Sequence, residues 1–200
     1  MRSLVSGVLL CIAVGFASAQ TTIRQVDFKN FSYPLKDHLL GHAELKWLTT
    51  EGSFEPALRT IHLKNGEDLK KTVTPGPGGD YSGFEFESVT YADLTGGGEE
   101  DAIVDLRYLT GGTQHTNYVY FYALENGKPK LLAYCHTGDR AYFGLHKVYG
   151  ENQRLVFELL DPGKSEGDCC SSGFVRTRFR WDGSGFAAVG HHEYGALKEE

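Results

Sequence analysis

The fold is decided by a stretch in the middle of the chain, residues 116–124, which reads Thr-Asn-Tyr-Val-Tyr-Phe-Tyr-Ala-Leu. Successive side chains of an extended strand point to opposite faces of the sheet. One face of this stretch therefore carries three tyrosines, Tyr118, Tyr120 and Tyr122. The other face carries the apolar residues Val119, Phe121 and Ala123. Because both faces are apolar, the stretch predicts a central strand that is covered on both sides.

Segments with the same period of two lie on either side of this stretch. They are residues 58–63, 69–74, 101–109, 130–137, 154–160, 175–181 and 186–189. The dipeptides Asn65-Gly66 and Asn126-Gly127 lie between neighbouring segments and are typical of type I′ hairpin turns. We therefore expect a mainly β protein. We expect a single antiparallel β domain over residues 20–200, built as a sandwich or a strongly bent sheet of about eleven strands. Little helix is expected, and residues 33–48 could hold one short helix.

Composition excludes several classes of protein. The chain has 200 residues, a formal net charge of −6 at pH 7, 40% hydrophobic residues and 23% charged residues. This balance is typical of a folded domain rather than a disordered chain. The negative charge argues against a nucleic-acid partner, since binding to phosphates needs a clustered basic surface. Apolar runs after the leader fall short of the ~18 residues of a membrane span, so the mature chain is expected to lack a transmembrane segment.

The first 19 residues have the pattern of a secretory signal peptide. Arg2 supplies a positive start, residues 4–16 are apolar, and Ala17-Ser18-Ala19 forms a small-residue cleavage signal. We expect cleavage between Ala19 and Gln20 and a secreted or periplasmic location. In such a compartment disulfide bonds persist.

Removal of the leader, with Cys11, leaves an odd number of cysteines: Cys135, Cys169 and Cys170. One thiol is therefore unpaired or bonds to another chain. Cys169 and Cys170 can bond to each other, or one of them can bond to Cys135. Cys135 also suits a buried position as a small hydrophobe, on the same predicted strand face as Leu131 and Ala133.

An acidic loop at residues 91–104 resembles the calcium-loop segment of FG-GAP/VCBS-type repeats. Asp93 and Asp101 match the first and last ligand positions of that loop, and Gly98 matches its turn glycine. Thr95 and Gly97 stand where two further carboxylates or amides belong. Ca²⁺ requires six to eight oxygen ligands, so the loop is short of anionic groups. We expect no resident cofactor. Were Ca²⁺ to bind, its side-chain ligands would be Asp93, Thr95 and Asp101.

Four further short sequences widen the resemblance. They are residues 26–31, 111–113, 137–140 and 167–170. Together they resemble a family of exported bacterial proteins of unknown function. The Asp168-Cys169-Cys170 turn before a strand also resembles LppP/LprE-type bacterial lipoproteins. These resemblances imply an envelope or extracellular β protein, and they supply no catalytic residues.

Two side-chain rows are candidates for ligand binding. The arginines Arg176, Arg178 and Arg180 alternate along one predicted strand and would suit a polyanion such as an acidic glycan. The alternative is that they form ion pairs with carboxylates such as Glu158 on a neighbouring strand. The tyrosines Tyr118, Tyr120 and Tyr122 would stack on sugar rings if exposed, and would be core residues if a second layer covered them.

No motif supports an enzyme. Residues 163–167 fit G-x-S-x-G, but a nucleophile elbow needs a helix after the serine, and residues 168–173 form helix poorly. We expect no catalytic residues. The sequence predicts a secreted, non-catalytic envelope-associated binding or structural module, whose partner would be a cell-envelope glycan or protein. The alternatives are a small secreted hydrolase and a degenerate calcium-binding module.

Overall fold

The structure, a computed structural model, describes residues 22–35, 60–76, 79–140, 142–165, 167 and 170–197, with backbone only at 72–76 and 79. The proposed signal peptide lies outside these residues. So does most of the segment in which a short helix was expected, although Ser32–Pro34 at its edge is a strand.

The described residues contain eleven strands and only 3-10 turns of helix. The strands are β1 (Ser32–Pro34), β2 (Thr60–His62), β3 (Glu67–Gly76), β4 (Gly79–Ala92), β5 (Asp101–Leu109), β6 (His115–Glu125), β7 (Lys128–Asp139), β8 (Leu145–Glu151), β9 (Arg154–Leu160), β10 (Gly173–Trp181) and β11 (Phe186–Ala196). They form three antiparallel sheets, ordered β1-β2, β3-β4-β5-β6-β7 and β11-β10-β9-β8. The prediction of a mainly antiparallel β fold is confirmed.

The five-stranded sheet has a hydrophobic cluster on each face, as the sequence of β6 predicts. The cluster on the tyrosine face includes Phe28 and Tyr33 from the N-terminal segment. The cluster on the opposite face includes Phe121 of β6 and Phe157 of β9, so the four-stranded sheet covers that side. Burial of apolar surface on both faces is the main source of stability in such a layered arrangement.

The turn chemistry is confirmed at both predicted hairpin dipeptides. Asn65 and Gly66 have φ of 55° and 90°, and Asn126 and Gly127 have φ of 53° and 73°. The pairing around the first turn differs from expectation, because β2 pairs with β1 in a separate two-stranded sheet. A third turn of this kind joins β8 to β9 through Asn152-Gln153, with φ of 50° and 57°.

A β-bulge corrects one predicted strand face. The register of β6 with β7 shifts between Phe121 and Tyr122, which pair with Ala133 and Leu131. The extra residue in β7 moves Leu131 to the tyrosine face, whereas Ala133 and Cys135 stay on the face toward β9. A prediction that assumes a strict period of two along the strand cannot detect such a shift.

Strand β8 lies close to the end of β4 at a glycine, Gly150. A Cβ atom at Gly150 would lie 2.2 Å from the Cβ of Ala92 and 3.1 Å from Cδ2 of Leu94. The absence of a side chain at Gly150 therefore lets this end of β8 pack against the end of β4. Nearer its start, β8 stands apart from β4 across a cavity.

We expect Gly150→Ala to lower the free energy of unfolding by about 1–3 kcal/mol, because the added methyl group overpacks this contact. The double variant Ala92→Gly/Gly150→Ala removes the opposing methyl group and is expected to recover part of the loss. Urea denaturation of the three proteins measures this. A single variant as stable as the parent would show that the two strands do not meet at Gly150.

Within the part of the chain that the structure covers, no helix has the length and apolar character needed to cross a membrane.

Candidate functional site

A cavity of about 480 Å³ lies where β8 separates from the five-stranded sheet. Ligand sites in proteins commonly have volumes of about 300–1,000 Å³. Its lining combines charged, polar and apolar side chains: Glu87, Ser88, Asp105, Arg107, Asn117, Leu145, His146, Lys147, Val148 and Tyr149. We call this the side cavity.

Asp105 is the most buried ionisable group of the side cavity, with 6% of its surface exposed. Alternation along β5 places it on the same face as Ile103, which lies in the cluster between the two larger sheets. Nδ2 of Asn117 donates to both of its carboxylate oxygens, at 2.9 and 3.1 Å. Burial raises the pKa of Asp105 to about 6, and the charge of Glu87 acts in the same direction. The Asn117 hydrogen bonds and the charge of Arg107 lower this pKa and only partly offset the burial.

Arg107 contacts two carboxylates other than Asp105, and one of them, Glu87, also lines the side cavity. Its Nη2 donates to Oε2 of Glu85 at 3.2 Å, and its Nε lies 3.3 Å from Oε2 of Glu87. The second contact is an ion pair without hydrogen-bond alignment, since Nε is buried and has no hydrogen-bond partner among the residues that the structure describes. The positive charge of Arg107 is therefore directed toward the two glutamates.

Strand β8 forms the opposite wall, and it is an edge strand that pairs with β9. The hydroxyl of Tyr149 donates to Oε1 of Glu158 at 3.2 Å. The His146 ring stacks on Phe174, with 5.8 Å between centroids. Burial lowers the pKa of His146, and Lys147 adds to the effect while Glu158 opposes it. The wall therefore carries one exposed cation, Lys147, beside a histidine that favours its neutral form.

Within the described ranges, the arginine row on β10 is paired with carboxylates at two of its three positions. Arg176 donates to Oε1 of Glu158 through Nε at 2.8 Å and Nη2 at 2.6 Å. Arg176 and Arg178 both contact Glu193. The row lies on the face of β10 away from its buried residues, and Arg180 is exposed. Of the two expectations for this row, ion pairing with Glu158 is the one found at Arg176. A polyanion that bound Arg176 or Arg178 would have to displace Glu158 or Glu193.

The tyrosine row is part of the core. Tyr118, Tyr120 and Tyr122 are buried in the cluster beneath the N-terminal segment, and Tyr33 lies 5.0 Å from the Tyr120 ring, centroid to centroid. Buried rings offer no surface for stacking on a sugar, so of the two alternatives it is the core position that describes this row. The structure also does not bring this row to the arginines, which lie in the other large sheet.

In the acidic loop, backbone N–H groups of the loop itself donate hydrogen bonds to the carboxylates of Asp93 and Asp101. Oδ2 of Asp101 accepts from the N–H groups of Leu94 and Thr95, at 2.9 and 3.0 Å. The carboxylate of Asp93 accepts from the N–H groups of Gly96 and Gly98, at 2.6 and 3.0 Å. These bonds end on Oδ2 of Asp101 and on both oxygens of Asp93, and they hold the two carboxylates against the backbone of the loop. No group of three metal-ligating His, Cys, Asp or Glu side chains occurs in the described ranges.

We expect a chelator to leave the melting temperature unchanged, because amide donors hold Asp93 and Asp101 in place. Differential scanning fluorimetry with and without EDTA measures this. A fall of several degrees that added Ca²⁺ reverses would instead support the degenerate calcium-binding module, because a ligand that binds the folded state raises its stability.

Cys135 is a free, fully buried thiol. Burial raises its pKa well above the usual range, so the reactive thiolate is suppressed. Because Cys135 is free, the alternative in which it bonds to Cys169 or Cys170 is wrong. Cys169 lies outside the described residues, so the other alternative, a Cys169–Cys170 bond, stays a prediction.

For the unfolded, unreduced protein recovered from an oxidising compartment, we expect alkylation to modify one thiol, that of Cys135. Intact mass spectrometry counts the modified sites, and reduction should raise the count to three. Cys135→Ser is the control and should show none before reduction. Three modified thiols without reductant would contradict the predicted bond.

Asp105, Arg107 and Asn117 are not among the site residues predicted from the sequence. The signal that could have found one of them is at Asn117, a polar residue on the same face of β6 as Val119 and Phe121. A polar side chain on a buried face requires a hydrogen-bond partner, and here that partner is Asp105.

Comparison of the chain with protein-family models, curated proteins and solved structures gives no match.

Proposed function

We propose that this chain is a non-catalytic binding module that acts after export and binds a small polar molecule in the side cavity. One observation carries the proposal: a buried carboxylate, Asp105, is positioned by Asn117 at the wall of a cavity of about 480 Å³. Buried polar groups converging on a cavity of this size are typical of ligand sites.

Export is supported by the pattern of residues 1–19. The layered fold supports a binding role, because a rigid two-sheet scaffold holds the cavity wall at low cost in conformational entropy. The mixture of charged and apolar lining favours a small polar ligand over a purely apolar one.

The Asn117 side-chain amide is the natural reporter for this proposal. We would record ¹⁵N–¹H spectra while adding putrescine, succinate, glucose or N-acetylglucosamine in turn. At least one compound should shift the Asn117 amide at millimolar concentration. The variant Ser88→Trp, which fills the cavity, should abolish the shift, whereas Thr90→Trp on the same strand but outside the lining should not. Absence of a shift with every compound would refute the proposal.

A small secreted hydrolase is the second candidate. It is favoured by two carboxylates lining one cavity, Asp105 and Glu87, and by burial that raises the pKa of Asp105 to about 6, a value suited to general acid–base catalysis. Release of p-nitrophenol from p-nitrophenyl acetate or p-nitrophenyl glycosides tests it. Turnover that Asp105→Asn and Glu87→Gln each abolish would favour the hydrolase over the binding module.

A further inference from the structure

Asp105 is a buried carboxylate that lacks a cationic partner in the described part of the chain. Among the described residues, only the Asn117 amide donates hydrogen bonds to it. The two cations of the cavity lining are placed elsewhere: Arg107 contacts Glu85 and Glu87, and Lys147 is exposed on β8. Burial of an unpaired charge destabilises the folded protein. A cation bound at Asp105 would therefore stabilise it.

The carboxylate has unused capacity for hydrogen bonds. Each ionised oxygen offers two lone-pair sites, and the single Nδ2 atom of Asn117 occupies one on each oxygen. Because Asp105 lines the side cavity, a donor inside that cavity can reach the remaining sites. A charged N–H donor makes the stronger bond with a carboxylate.

We propose that the side cavity binds a primary alkylammonium ligand, with its ammonium group donating to the carboxylate of Asp105. This inference rests on the proposed binding function and names the chemical class of the ligand.

The rest of the lining suits the alkyl part of such a ligand. Leu145 and Val148 are apolar residues of the lining, and Tyr149 is an aromatic residue whose hydroxyl donates to Glu158. Glu87 is a second carboxylate at the same cavity, but it already contacts Arg107. The second ammonium group of a short diamine would therefore share Glu87 with the Arg107 guanidinium, whereas Asp105 has no such partner in the described part of the chain. The pKa of Asp105, about 6, leaves the carboxylate mainly ionised at pH 7.

Putrescine is the probe, and 1,4-butanediol is its uncharged counterpart of the same length. At pH 7 we expect putrescine to shift the Asn117 side-chain amide in ¹⁵N–¹H spectra and 1,4-butanediol to leave it unchanged. Asp105→Asn should weaken putrescine binding about tenfold or more, because it removes a charge-assisted bond. Glu125→Gln is the control: Glu125 is an exposed carboxylate at the β6–β7 hairpin, and the affinity should not change.

Backbone spectra of Asp105→Asn establish that the variant is folded. A loss of affinity that follows Asp105→Asn, and likewise follows Ser88→Trp in the wild-type background, supports the inference. Equal affinity in Asp105→Asn would overturn it and assign the binding to nonspecific attraction by an acidic protein. Succinate or N-acetylglucosamine shifting Asn117 when putrescine does not would overturn the inference and leave the proposed function standing. No shift with any compound overturns both.

Discussion

Phe121→Ala is expected to lower the free energy of unfolding by about 4 kcal/mol, which is within the usual range for truncation of a buried aromatic residue. Phe121 is fully buried between the two larger sheets. Its ring lies 6.2 Å from that of Phe157 on β9 and 5.2 Å from that of Phe186 on β11, centroid to centroid. The substitution therefore removes apolar surface and leaves a cavity at the contact that joins the sheets.

Urea denaturation monitored by circular dichroism measures this effect. Tyr194→Ala is the matched control, since Tyr194 is 71% exposed, and its stability should stay within about 0.5 kcal/mol of the parent. If Phe121→Ala cost no more than Tyr194→Ala, the four-stranded sheet would not pack on β6 as described.

Strands with strong alternation could be predicted from the sequence. β5, β6, β9 and β10 coincide with predicted segments to within two residues at each end. These strands bury one or both faces, so the pattern of apolar side chains records their burial directly. β6 in particular is apolar on both faces because a layer covers each of them.

β4 and β8 were not predicted, for a physical reason in each case. β4 carries Glu85 and Glu87, which form ion pairs with Arg107 of β5, and a register shift between Phe86 and Ser88 breaks its period of two. β8 is a short edge strand with His146 and Lys147 in its first half. Edge strands hold polar residues because one side of their backbone faces solvent or a cavity.

The side cavity was beyond sequence reasoning because it depends on packing between sheets. Alternation places Asp105 and Arg107 on one face of β5, but it does not predict how much of that face is buried by the other sheet. Burial of Asp105 follows from the four-stranded sheet above it, whereas Arg107 reaches the margin and contacts Glu87. The bulge in β7 that separates Leu131 from Ala133 is a second feature that only the register reveals.

The other large expected effect is a pH dependence of stability that arises at Asp105. Burial raises the pKa of this carboxyl in the folded protein to about 6 from its ordinary value of 3.8. The folded state therefore binds the proton more tightly than the unfolded state does. Protonated Asp105 contributes stability that is fully present below pH 3.8 and is lost as the pH rises through about 6.

The size of the effect follows from the shift. A difference of about two pKa units corresponds to about 3 kcal/mol, which is an upper value because the cavity admits some solvent. Asp105→Asn has no such proton to bind, so its stability lacks this component. The wild-type free energy of unfolding, taken relative to that of Asp105→Asn, should therefore fall by about 2–3 kcal/mol between pH 4 and pH 7.

Urea denaturation of both proteins at pH 4, 5, 6 and 7 measures this difference. Taking the difference cancels the other groups that titrate in this range, including His146, whose lowered pKa acts in the opposite sense. Glu125→Gln is again the control: its exposed carboxyl should leave a curve parallel to the wild type. If Asp105→Asn also ran parallel to the wild type from pH 4 to pH 7, the carboxyl would be solvated rather than buried, and the argument for an ammonium group beside it would lose its basis.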